Sequence, residues 1–82
     1  MYDAAWDDPV VVDLPLPHGR QTISTTRQAA ECLMESWPEP DVSSVRDEAL
    51  RLCLEVFEEH EPPETARSAF LAAARNAGLS TL

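Results

Sequence analysis

SSVRDEALRLCLEVFEE, residues 43–59, is the stretch on which the fold turns. Placed on a helical wheel, Val45, Ala49, Leu52 and Val56 form one stripe and Cys53 continues it. Leu50, Leu54 and Phe57 widen the apolar arc to roughly 200 degrees, which leaves Asp47, Glu48, Arg51, Glu55, Glu58 and Glu59 on the remaining polar strip. Ser43 or Ser44 opens this helix, Asp47 stands four residues before Arg51 in the favourable acid-first order, and Glu59 closes it. A helix that is apolar over more than half its circumference has to bury two sides, so the spacing predicts it as the hub of the fold.

Upstream, Thr25 and Gln28 make the T-x-x-Q form of a capping box and predict a helix from Thr25 to about Trp37, where Pro38 stops it. Ala29, Ala30, Leu33 and Trp37 share one face of that helix, with Glu31 and Glu35 opposite. Before it come two β-like segments, Pro9 to Leu14 around Val10-Val11-Val12 and Gln21 to Ser24 around Ile23. The turn-rich connection Pro15-Leu16-Pro17-His18-Gly19 suggests that they pair as a hairpin, although it is longer than a two-residue turn and leaves the register open. Downstream, Pro63 in a first turn, Glu64 near the positive end of a helix dipole, Arg75 near the negative end and Gly78 just beyond mark a third helix. Its face of Ala66, Ala69, Phe70, Ala73, Ala74 and Ala77 allows close helix approach, and Leu71 points away from it. The expected architecture is α+β: a short N-terminal β-hairpin followed by three helices, in one small domain over residues 1–82.

Fifteen acids stand against six bases, every base is Arg, and the formal charge is -9. Nucleic-acid binding draws on clustered positive charge, and an acidic surface repels phosphates and anionic membranes, so neither is expected as a partner. Acidity also serves plain solubility. Asp3, Asp7 and Asp8 near the start, with no apolar stretch behind a basic one, do not read as a secretory signal. The longest apolar run, Ala69 to Ala74, falls far short of the roughly 20 residues of a membrane-spanning helix. A cytoplasmic location is expected, with Cys32 and Cys53 as reduced thiols, since they stand singly and form no CxxC pair.

One order of residues is familiar: Trp6 and Pro9-Val10, Ile23-Ser24-Thr25, Ala29-Ala30, Cys32-Leu33, Trp37-Pro38, Ala49, Cys53, then Ala66-Arg67, Ala69-Phe70, Ala73-Ala74 and Ala77-Gly78. It resembles the domain-of-unknown-function 982 family, small proteins common in rhizobial-type bacteria, over nearly the whole chain. The resemblance implies a fold and no activity. It departs from the family pattern at two places. The family usually has a Gly and an aromatic residue between the Trp-Pro pair and the second helix, where this chain reads Glu39-Pro40-Asp41-Val42-Ser43-Ser44-Val45. It also usually has a Gly near the end of the second helix, where this chain reads Glu58-Glu59-His60.

Two cysteines and two histidines raise the question of zinc, but His18, Cys32, Cys53 and His60 come from four separate segments without a paired knuckle, and no metal or other cofactor is expected. Catalysis needs a nucleophile beside a base, separated carboxylates, a phosphate-cradling loop or a cofactor fingerprint, and no catalytic residue is spelled out. The pairs Asp7-Asp8, Asp47-Glu48 and Glu58-Glu59 are sequence neighbours that diverge on a helix. Trp6 and Trp37 are each either core or binding residues. Arg67 either snorkels along the core edge to pair with Glu64 or serves in an anion site.

The function expected is that of a small acidic protein-interaction or regulatory module without catalytic activity, with a basic protein as partner. Trp6, Leu50, Leu54, Phe57 and Leu71 are its candidate interface residues. The stripe of Leu50, Leu54 and Phe57 either packs inside the monomer or forms the seam of a homodimer. The alternative is a small-ligand binder or enzyme assembled around Arg67 and nearby carboxylates. A nucleic-acid mimic would need the acids on one face, and they are scattered over all segments.

Overall fold

The computed structural model describes residues 5–38 and 44–81. The linker that contains Glu39, Pro40, Asp41 and Ser43, and with it the earlier of the two helix starts, lies outside the described residues. Strand β1, Ala5–Asp13, pairs antiparallel with β2, Arg20–Thr25. Val10 faces Ile23, Val11 faces Thr22, Val12 faces Gln21 and Asp13 faces Arg20. Ala5 then faces Thr25, so five steps along β1 oppose two along β2 and the strand bulges. Pro9 sits in that bulge, where the missing N–H removes nothing from the ladder. This is why β1 runs four residues further upstream than the expected start at Pro9. In the connection, the His18 N–H donates to Pro15 O at 3.1 Å, the Leu14 N–H donates to Gly19 O at 3.0 Å, and Leu16-Pro17 is cis.

Helix α1, Thr26–Glu31, starts where the capping residues place it: Thr25 Oγ1 accepts from the Gln28 N–H at 3.1 Å. The reciprocal arm reaches one residue further than the capping box implies. Gln28 Oε1 accepts from the Ser24 N–H at 2.7 Å and from its hydroxyl at 3.0 Å. The α-helix also stops earlier than expected. Cys32–Ser36 forms a π-helical turn, and Trp37 leaves it in extended backbone ahead of Pro38. Arg46, at the start of the next helix, donates from Nε to the Leu33 carbonyl at 2.8 Å and so satisfies an acceptor near the helix end.

Helices α2, Ser44–Phe57, and α3, Pro63–Asn76, are each 14 residues long. The expected hub role of α2 is shared with α3, since each packs against three other elements. Helix α3 packs against α2, α1 and β1, whereas α2 packs against α3, α1 and the π turn. Residue size gives α3 its share. Ala66, Ala73 and Ala74 are buried and let neighbours close in on three sides, around a Phe70 with no exposed surface. The Trp6 ring lies 6.0 Å from Phe70 and the Trp37 ring 5.6 Å from it, so three aromatic rings from β1, the segment after α1 and α3 meet at the centre. Trp6 Nε1 donates to the hydroxyl of buried Thr26 at 3.0 Å, which ties β1 to α1. After α3 the chain returns to the outer side of β1, where the Asp13 N–H donates to Ser80 O at 2.9 Å and Val12 bridges to Thr81.

Candidate functional site

The five candidate interface residues separate in the structure. Trp6 is 7% exposed and belongs to the core, so its reading as an interface residue is corrected: its indole is spent on Phe70 and Thr26. Leu50, Phe57 and Leu71 are half-buried against the core. Leu54 is 60% exposed. Because 50, 54 and 57 follow the i, i+4, i+7 spacing, the three α2 residues make one outward stripe with Leu54 at its crest. The apolar arc of α2 is therefore wider than its neighbours cover. Ala49, Cys53 and Val56 fill the inner side, and the second stripe is buried only along its flanks.

Ion pairs run along the polar strip of the same helix. Arg51 grips Glu48 with two hydrogen bonds, Nε to Oε1 at 2.9 Å and Nη2 to Oε2 at 2.6 Å, and this holds the Glu48 carboxyl below its ordinary range. His60 Nδ1 lies 2.8 Å from Glu55 Oε2, and this contact raises the imidazole pKa above its ordinary value. Glu55, Glu58 and His60 each offer an atom within 4.8 Å of the others, an arrangement that exposed acids beside a histidine adopt without an ion. The residues of the zinc question divide by environment. Cys32 and Cys53 are buried, and burial pushes both thiols up to about 11, while His18 and His60 are exposed on turns.

Arg67 is a brace between elements. Its Nε donates to the Asp8 carbonyl at 2.8 Å, across 59 positions of chain, and its Nη1 lies 3.5 Å from Glu64 Oε1. The guanidinium thus fastens α3 to the β1 bulge. Of the two readings of Arg67, the geometry matches the core-edge one, pairing with Glu64 included.

A groove that sequence reasoning missed lies between β2 and α1. It encloses about 310 Å³ and is lined by Gln21, Thr22 and Ile23 on one wall and by Gln28, Glu31, Cys32, Glu35 and Ser36 on the other. Glu31 is partly offset by Arg27, whose Nε is 3.6 Å from Glu31 Oε2. The wheel puts Glu31 and Glu35 on one side of their helix, but nothing in the sequence says that a strand edge lies opposite them.

Hairpin, three helices, an alanine-faced helix and a buried aromatic triad together define a small α+β domain with an acid-lined groove between β2 and α1. The family model described as Protein of unknown function (DUF982) matches residues 8–81, and the chain belongs to that family. No curated protein and no solved structure matches the chain. No helix among the described residues is long and apolar enough to cross a membrane.

Proposed function

We propose that the protein is a non-catalytic binding module that takes a basic protein partner on the outward stripe of α2. The observation that carries this is Leu54, a large aliphatic side chain 60% exposed in mid-helix between half-buried Leu50 and Phe57. Acids flank the stripe, with Asp47 one turn before Leu50 and Glu58 one turn after Leu54, both exposed. An apolar centre with a charged rim is the common anatomy of a protein contact. With a net charge of -9 and no Lys, basic partners are attracted and acidic ones repelled. We place the module in the cytoplasm, where Cys32 and Cys53 remain thiols. The alternative built on Arg67 loses its principal cation, since that side chain is committed to Asp8 and Glu64.

The test is Leu54→Asp, compared with the parent protein for partner capture from host lysate at low and physiological salt and for sedimentation over a range of concentrations. The substitution is at an exposed site and is expected to change stability by less than about 0.5 kcal/mol. Loss of a stoichiometric, salt-sensitive basic partner with the fold intact is the expected result. Loss of a concentration-dependent homodimer would instead assign the stripe to self-association, and an unchanged partner set would overturn the stripe as the contact.

A further inference from the structure

We propose that the groove between β2 and α1 binds an extended basic peptide segment, which adds to β2 as a third strand. The sheet has two strands, and the outer side of β1 is occupied by Ser80 and Thr81. The outer side of β2 carries no strand among the described residues. Three consecutive residues of β2 line the groove. Successive side chains of a strand point to opposite faces, so what Gln21, Thr22 and Ile23 share toward one cavity is their backbone edge.

Backbone hydrogen bonds identify which groups are on offer. In an antiparallel pair, residues alternate between directing their N–H and C=O at the partner strand and directing them away from it. Ser24 directs its N–H away from β1, to Gln28 Oε1. The same alternation turns the N–H and C=O of Thr22 outward, into the groove that Thr22 lines. Gln28 therefore closes the edge at Ser24 and leaves it open at Thr22. Strand addition uses such an edge for affinity and the side chains beside it for selectivity.

The facing wall selects charge. Glu31 and Glu35 stand one helical turn apart on it, and Glu35 has no cationic partner among the described residues. Side chains of an added strand that alternate toward α1 meet these carboxylates, so Lys or Arg at every second position fits and Asp or Glu does not. Strand β2 has six residues, which sets the length of segment it can pair with. This site is separate from the α2 stripe, and its test reads the two apart.

The probe is the capped hexapeptide acetyl-Lys-Thr-Lys-Thr-Lys-Thr-amide, titrated into the ¹⁵N-labelled protein at low and physiological salt. Shift changes are expected at Gln21, Thr22, Ile23, Glu31 and Glu35. A version N-methylated at alternate amides keeps the charge but loses donors, and is expected to bind about tenfold more weakly. Glu35→Gln, at an exposed position, is expected to weaken the parent peptide about threefold, with the spectrum of the free protein otherwise preserved. Leu54→Asp is expected to leave peptide binding unchanged, so failure here and failure of the α2 contact read out separately. The proposal is overturned if millimolar peptide leaves β2 unshifted, if the shifts fall on α2, or if the N-methylated peptide binds equally well, since that would leave only charge attraction to an acidic protein.

Discussion

Helices α2 and α3 have the same length and nearly opposite compositions. Helix α2 is rich in Leu and Val and leaves one apolar stripe partly in water, while α3 is rich in Ala and brings the fully buried Phe70 into contact with both tryptophans. The difference teaches that apolar circumference alone does not make a hub. A helix is surrounded when its side chains are short enough for several neighbours to approach at once, and Ala66, Ala73 and Ala74 provide that around a single large residue, Phe70. A helix with long side chains on two stripes fills one interface and leaves the crest of the other, Leu54, in water.

The largest effect that breaks this comparison is expected at its centre. Phe70→Ala removes a fully buried ring that both tryptophans contact, and leaves a cavity in a helix face already made of alanine. A loss of about 3 to 5 kcal/mol is expected, read from urea unfolding followed by Trp fluorescence. Leu54→Ala on α2 is the matched control and should change stability by less than about 0.5 kcal/mol. If the two substitutions cost similar amounts, Phe70 is not the centre of the packing.

The two helices end alike, which sharpens the comparison to one residue. After α3, the Leu79 N–H donates to Ala74 O at 2.9 Å and the Gly78 N–H to Arg75 O at 3.1 Å. After α2, the His60 N–H donates to Glu55 O at 2.9 Å and the Glu59 N–H to Val56 O at 3.0 Å. Both are Schellman closures with a left-handed residue, φ +77 at Gly78 and φ +63 at Glu59. Only the first has the residue that suits it. A Cβ at Gly78 meets nothing within 4 Å, so Gly78→Ala tests backbone conformation without a clash and is expected to cost about 1 kcal/mol. Glu59→Gly is expected to stabilise by about 0.5 to 1 kcal/mol, because it relieves the left-handed strain at an exposed position. Thermal unfolding of the two variants with opposite signs of ΔTm is the expected outcome. Shifts of the same sign would mean that the two ends are not held by the same geometry.

These ends also show what is legible in a sequence and why. Pro63, Glu64, Arg75 and Gly78 announce α3 because each satisfies a local need of a helix terminus within a few residues. Thr25 and Gln28 announce the start of α1 for the same reason, and the Val10 to Val12 run announces β1. What is not legible depends on partners far along the chain. The π turn at Cys32–Ser36 has its Leu33 carbonyl held by Arg46, and the burial of Trp6 is completed by Thr26, twenty positions away. Glu59 hides the end of α2, since a Glu in the left-handed region looks like one more acid on a polar strip. The groove is hidden for a related reason: Glu31 and Glu35 are visible on a wheel, but the edge of β2 opposite them is set by how the hairpin docks.

The smallest effect expected is electrostatic and sits at the same end of α2. His60 is exposed, and its imidazole is raised from 6.5 first by the hydrogen bond to Glu55, then by the charges of Glu55, Glu58 and Glu61. A cation at a helix C-terminus also suits the dipole. Since the folded pKa lies above the unfolded one, the folded protein holds the proton more tightly. The stabilisation is complete below the unfolded value and is lost as pH rises through the folded one. An NMR titration should therefore place the His60 pKa above the ordinary 6.5, and Glu55→Gln should remove most of that elevation, leaving Glu58 and Glu61 to supply the rest. If His60 still titrates high in Glu55→Gln, the helix end and the remaining acids hold its charge, and the contact at 2.8 Å contributes position without energy.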